Sequence, residues 1–268
     1  MTAPLIEAQD LRVTDQRGQA LLDGIGFQVR SGELVGLLGR SGSGKSVLAR
    51  CLLGLWPSPD SPPNGRLTFD GIDLLVEGGS RSHPLRGRDI ALIPSGGRGL
   101  LNPVIRVGDQ IAAVARAHDP GLGRKEARAR AVIELARLSV NDPERRAQAY
   151  PHELSGGMCQ RVLIAMAFVG SPRLVICDDA TTGLDVTVQA LVLAALTQRV
   201  DEEEAAALIV SHDVGVVAQT ARSVIVLDGG RIIEQGPVTD VLVHPAHPAT
   251  RHLVEAARLA RAVEVELA

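Results

Sequence analysis

Eight residues, Gly39-Arg40-Ser41-Gly42-Ser43-Gly44-Lys45-Ser46, lie between the apolar run Leu34-Val35-Gly36-Leu37-Leu38 and the segment Val47-Leu48-Ala49-Arg50-Cys51-Leu52-Leu53. A glycine-rich turn between a buried strand and a helix can point its backbone N–H groups inward around a phosphate. Lys45 then reaches the outer phosphates, and the Ser46 hydroxyl can ligate Mg²⁺. The pattern predicts a nucleoside triphosphate site from Gly39 to Ser46, and does not distinguish among NTPases.

A second group of segments does. Leu154-Ser155-Gly156-Gly157-Met158-Cys159-Gln160-Arg161 runs into the apolar stretch Val162 to Phe168. A serine followed by two glycines caps a helix and admits a phosphate to its N-terminus. Read alone, it is equally an ordinary cap. Downstream, Leu174-Val175-Ile176-Cys177-Asp178-Asp179 reads as a strand ending in carboxylates, followed by Thr181-Thr182-Gly183-Leu184-Asp185 and Leu208-Ile209-Val210-Ser211-His212-Asp213.

In this order the segments resemble the signature motif, Walker B strand, D-loop and switch histidine of ATP-binding cassette (ABC) ATPases, and the resemblance runs from about Leu11 to Leu253. It implies ATP and Mg²⁺ as cofactors, with the whole loop Gly39, Arg40, Ser41, Gly42, Ser43, Gly44, Lys45 and Ser46 on the phosphates. Ser46 and Asp178 would hold the metal, Ser155, Gly156, Gly157 and Asp185 would close on nucleotide, and His212 would contact the γ-phosphate. Within the family, Leu101-Asn102-Pro103, Asp185-Val186-Thr187-Val188-Gln189, Ser211-His212-Asp213-Val214-Gly215 and His247-Pro248-Ala249-Thr250-Arg251-His252-Leu253 resemble importer ATPases for oligopeptides, dipeptides and nickel. The cysteine-bearing extension of many relatives is not in this sequence, so no iron-sulfur site is expected; the tail from Leu253 to Ala268 is most similar to nickel or metallophore importer subunits.

The elements that must position these groups follow from pattern. Strands are expected at Leu5 to Val13, Gly26 to Val29 and Gly65 to Phe69, the last closed by the turn pair Asp70-Gly71. Strands at Ser223 to Leu227 and Arg231 to Gln235, around Asp228-Gly229-Gly230, complete a parallel-centred sheet. Between Leu101 and Leu154, apolar positions at helical spacing (Val107, Ile111, Val114; Ala131, Ile133, Leu135, Leu138) lie among many Arg and Ala. The expected architecture is α/β: a P-loop NTPase (RecA-like) core with an antiparallel β subdomain, formed by residues 1–95 and 162–268 of a single 268-residue domain, and an inserted α-helical subdomain at 96–161. The resemblance assigns that lobe the groove that receives a membrane permease. The run Asp201-Glu202-Glu203-Glu204 reads as a solvated helix end.

A net charge of -3 and a single Trp and Tyr among 268 residues argue against nucleic-acid binding. No apolar run reaches the roughly 20 residues of a membrane span, and no signal peptide follows Met1. The expectation is a peripheral protein at the cytoplasmic face of the inner membrane, attached through partners. Cys51, Cys159 and Cys177 read as buried free thiols, and His244, His247 and His252 as structural rather than metal-binding.

The resemblance further implies partners: a second ABC ATPase subunit whose signature completes this chain's site, two integral-membrane permeases and, indirectly, an extracytoplasmic solute-binding protein. Three departures stand out. Asp179 occupies the place of a catalytic Glu, Ser95 that of the Q-loop Gln and so a doubtful Mg²⁺ contact, and Thr14-Asp15 that of the aromatic expected to stack on adenine. Asp is one methylene shorter than Glu, and a misplacement of about 1 Å can cost on the order of 10²-fold in rate. Family drift with compensation is one reading; the sharper one is a degenerate half of a heterodimer, whose own site turns over slowly while its intact signature serves the partner. A non-transport ATP-binding scaffold, such as those associated with phosphonate cleavage, is the alternative, and a small-molecule kinase would leave Leu154 to Arg161 without a role.

Overall fold

The computed structural model describes residues 3–58, 61–76, 82 and 84–266, with side chains as far as residue 259. Met1 and the last two residues of the C-terminal tail lie outside the described residues. In chain order the elements are β1 (Ile6–Thr14), β2 (Ala20–Val29), β3 (Leu34–Gly39), α1 (Lys45–Leu52), β4 (Asn64–Phe69), β5 (Ile72–Asp73) and β6 (Ile90–Pro94). A 3-10 turn (Gly97–Leu100), α2 (Val107–His118), α3 (Arg124–Arg137), α4 (Pro143–Ala147), a second 3-10 turn (Pro151–Glu153) and α5 (Gly156–Phe168) follow. The chain ends with β7 (Leu174–Asp178), α6 (Val186–Glu202), β8 (Ala206–Ser211), α7 (Val214–Thr220), β9 (Ser223–Asp228), β10 (Arg231–Pro237), α8 (Val238–Val243) and α9 (Pro248–Glu266). The elements fall into two compact units, residues 1–84 with 206–268, and residues 85–205.

In the first unit an antiparallel sheet runs in the order β2-β1-β4-β5. Its apolar residues alternate, with Ile6, Ala8, Leu11 and Val13 of β1 and Leu22, Ile25, Phe27 and Val29 of β2 buried, as expected of a sheet with one face on a core. The expected strand Gly26 to Val29 extends back to Ala20, because β1 continues pairing through a bulge as far as Thr14↔Ala20. Asp70 and Gly71, both at positive φ, turn β4 into β5.

The second sheet of this unit places β3 between β9 and β8, parallel to both, with β10 antiparallel on β9. All six residues of β3 and of β8 are buried, which is why both read as unbroken apolar runs. Leu38, Val217, Val224, Val226, Val241, Leu242 and Val254 form the core beneath α7, α8 and α9. A Cβ on Gly36 would lie 2.4 Å from a Val217 methyl, so glycine is what lets α7 approach β3.

The second unit joins a parallel pair, β6 and β7, to helices α2 to α6. It contains the whole segment 96–161 and adds β6, β7, α6 and the body of α5. Val107, Ile111, Ala131, Leu135 and Leu138 are buried as the helical spacing requires. Ile133 is not, being 52% exposed; the neighbouring Glu134 turns inward instead, at 3% exposure. The acidic run Asp201 to Glu204 at the end of α6 is exposed except for half-buried Glu203, as expected of a solvated helix end, and Glu202 and Glu203 also bind the buried guanidinium of Arg199, which meets Glu134 as well. A buried cation is what draws Glu134 and Glu203 in.

Candidate functional site

The Gly39–Ser46 loop begins where β3 ends. Gly39 cannot carry a side chain, since its Cβ would lie 2.3 Å from the Leu227 carbonyl and 2.6 Å from Ser43 Oγ. Gly42 and Gly44 sit at φ 78° and 105°, and a Cβ on Gly44 would meet a Leu22 methyl at 2.7 Å. The turn after β9 braces the loop, with the Gly230 N–H donating to the Ser43 carbonyl at 3.1 Å. Helix α1 opens from Gly44 without a side-chain cap. Lys45, 7% exposed, folds its ammonium back to donate to the carbonyls of Gly39 (2.7 Å) and Arg40 (2.9 Å). Ser43 Oγ is buried without a hydrogen-bond partner.

An orphaned hydroxyl, a lysine held over the loop and a cradle that admits no Cβ fit an anion with several acceptor oxygens. His212 is exposed and follows β8, whose Ser211 is in register with Leu38 of β3. The sheet therefore brings His212 to the strand-end edge from which the loop departs. Next to it, Asp213 caps α7, accepting from the N–H groups of Gly215 (2.7 Å) and Val216 (3.4 Å).

In the second unit Pro94 of β6 is in register with Asp178 of β7. Ser95 thus leaves the sheet beside Asp178 and Asp179, and these three share one edge. Asp179 has φ 49°, a left-handed conformation that Asp and Asn adopt more cheaply than most side chains. Its carbonyl accepts from Thr182 N–H at 3.1 Å, which starts the turn toward α6. Ser155 caps α5 by accepting from Met158 N–H (3.2 Å), and Asp185 caps α6 by accepting from Val188 N–H (2.9 Å). Ser155 and Gly156 are exposed, whereas Gly157 is buried so tightly that a Cβ would lie 2.2 Å from a Val188 methyl. The start of α5 is therefore open to a ligand while its next residue locks it to α6.

All three thiols are buried and free. Burial pushes Cys51 up to about 12 and Cys177 higher still, Asp178 adding to the latter. Burial also raises Cys159, against the opposing pull of Arg98. His247 Nδ1 accepts from Ala249 N–H at 3.2 Å. Sequence reasoning missed the bracing role of Gly230, the cap at Asp213 and the part played by Arg98, whose guanidinium donates to the Leu154 carbonyl. An arginine within a Gly-rich turn was the only available signal for the last.

This chain belongs to the ABC transporter family, whose pattern it matches over residues 22–182, and it is an ATPase domain of that family. Its relatives narrow the likeness. It is 44% identical over 234 residues to the probable peptide ABC transporter ATP-binding protein y4tR of Sinorhizobium fredii, covering 87% of this chain and 70% of that one. It is 41% identical over 259 residues to the peptidoglycan transport ATP-binding protein YejF of Agrobacterium fabrum, covering 95% of this chain but 47% of the relative. It is 42% identical over 242 residues to the oligopeptide transport ATP-binding protein OppD of Mycobacterium tuberculosis, covering 89% and 39%. The chain thus spans about half or less of two of these three proteins. Among solved structures, cbiO1 of Clostridium perfringens, part of the ABC transporter complex cbiONQ, matches with a TM-score of 0.78 and 25% identity, covering 95% of this chain and all of that one. The ATP-binding cassette MJ0796, a dimer bound to ADP and Pi, shares the fold with a TM-score of 0.73 at 23% identity, over 87% and 98% of the two chains.

Proposed function

We propose that this chain is the ATP-binding and ATP-hydrolysing subunit of a peptide importer, and the slower half of a heterodimeric motor. The observation that carries the first part is the Gly39–Ser46 cradle, with Lys45 over it, Ser43 unpartnered within it and His212 on the same strand-end edge. The peptide assignment rests on the named relatives. Lys45 binds the outer phosphates, and His212 reaches the γ-phosphate. The hydroxyl of Ser46, at the start of α1, suits a hard divalent cation, and Mg²⁺ bound there would neutralise phosphate charge.

The exposed Ser155-Gly156 start of α5 suits a phosphate held by a second ATPase subunit, so each nucleotide would be sandwiched between two chains. ATP closes the pair and hydrolysis reopens it, and permeases in the inner membrane receive that motion. The slow half follows from Asp179 and Ser95. Both occupy the edge where the resemblance places longer side chains, and the left-handed backbone at Asp179 favours the shorter Asp.

The test is peptide-driven ATP hydrolysis by the transporter isolated through a tag on this chain. Lys45→Ala should abolish ATP binding at this chain's own loop. Asp179→Asn, which keeps the left-handed backbone and removes only the charge, should change turnover less than about threefold, while Ser155→Arg should abolish it. Equal loss in Asp179→Asn and Ser155→Arg would defeat the slow-half reading.

A further inference from the structure

The segment Ser95-Gly96-Gly97-Arg98-Gly99, in which Ser95 stands where the resemblance places the Q-loop Gln, makes a specific contact. After β6 the chain passes through two consecutive left-handed glycines, Gly96 at φ 115° and Gly97 at φ 45°. Residues with a Cβ seldom hold two such conformations in a row. The resulting 3-10 turn doubles the chain back, so the Arg98 guanidinium donates to the backbone carbonyl of Leu154. Leu154 is buried and extended, at φ -110° and ψ 151°, and it is the residue before Ser155. The same turn packs on the helix it approaches, since a Cβ on Gly97 would lie 3.7 Å from Gln160 Oε1 and 4.0 Å from the Gly156 carbonyl. Arg98 is also close enough to Cys159 to pull that thiol's pKa down against the upward push of burial.

The Leu154 carbonyl and the Ser155 N–H belong to one rigid peptide plane. Fixing the oxygen fixes the direction of the Ser155 amide and the point from which its side chain and the first N–H groups of α5 project. We propose that Arg98 is a positioning residue for the phosphate-binding start of α5, holding Ser155 and Gly156 in the orientation that a nucleotide on the partner ATPase requires. It touches no nucleotide itself. It acts through one carbonyl, and it ties the loop leaving β6 at Ser95 to the cap of α5. The inference rests on the reading of Ser155 as the group that completes the partner's site.

The experiment compares wild type, Arg98→Met and Arg98→Lys in the isolated transporter, with Ser155→Arg and Lys45→Ala as controls. Hydrolysis is measured against ATP concentration, and binding of a fluorescent ATP analogue to this chain's own loop is measured separately. A single charge-assisted hydrogen bond to a backbone carbonyl, lost with a small shift of the cap, corresponds to a fall in kcat of about 10- to 100-fold. The expected result is that fall in Arg98→Met, with the analogue's affinity for this chain's own loop within about twofold of wild type and most of the rate recovered in Arg98→Lys, which keeps a donor. Wild-type kcat in Arg98→Met overturns the proposal. So does equal damage in Arg98→Lys, which would assign the effect to packing. Normal hydrolysis by the transporter carrying Ser155→Arg removes the underlying reading instead, and the proposal falls with it.

Discussion

Removing the Arg199 side chain should be among the most destabilising single changes outside the Gly39–Ser46 loop. Its guanidinium is 1% exposed and lies 3.1 Å from Glu134, 2.9 Å from Glu203 and 2.7 Å from Glu202, with the Phe168 ring centroid 5.2 Å away. Arg137 reaches the other oxygen of Glu134 at 3.0 Å but is itself half exposed. Arg199→Met fills the space and leaves Glu134, 4% exposed, facing a half-hydrated partner only. Breaking one side of a buried ion pair costs about 3–5 kcal/mol, which for a chain of this size corresponds to roughly 6–20 °C in Tm. The assay is thermal unfolding followed by circular dichroism, on Arg199→Met and on Arg199→Met with Glu134→Gln. With the buried charge also gone, the double variant should regain at least half of the loss. A single variant within about 2 °C of wild type, or a double variant no better than the single, would refute the argument. The pH dependence has a definite sign. Glu202 is held below its ordinary value of 4.5, first by the hydrogen bond from Arg199. A carboxyl depressed on folding contributes stability above its unfolded pKa and loses it as the pH falls through the folded value. Wild type should therefore lose more stability than Arg199→Met on going from pH 7 to below about 4.5.

Gly157→Ala should weaken the seat of α5 on α6, because the new methyl would lie 2.2 Å from Val188; the expected cost is about 1–3 kcal/mol in unfolding experiments, and adding Val188→Ala should return most of it. Cys51, raised to about 12 and buried, should resist a thiol reagent at pH 8 in the native protein and react on denaturation, and rapid native labelling at Cys51 would contradict its placement.

The glycine-rich turn from Gly39 to Ser46 was legible because its requirements are local. Turn geometry, missing Cβ atoms and a lysine one residue inside a helix are all properties of a short contiguous segment, and the same holds for the Ser155 cap and the acidic end of β7. The all-buried strands were legible too, since burial on both faces leaves no polar positions to interrupt the apolar run. Residues whose roles depend on distant segments were not. Glu134 turned inward against the helical pattern because Arg199, 65 positions away in sequence, supplies its counter-charge. Arg98 found the Leu154 carbonyl 56 positions downstream, and Gly230 came to hold the Ser43 carbonyl only once β9 lay beside β3. By itself, the order of residues determined which chemistry this protein carries and where each loop and cap forms, because backbone conformation is set by near neighbours. The tertiary structure alone decided which charges are buried and which loops brace one another, because those energies exist only after distant side chains have been brought together and water excluded.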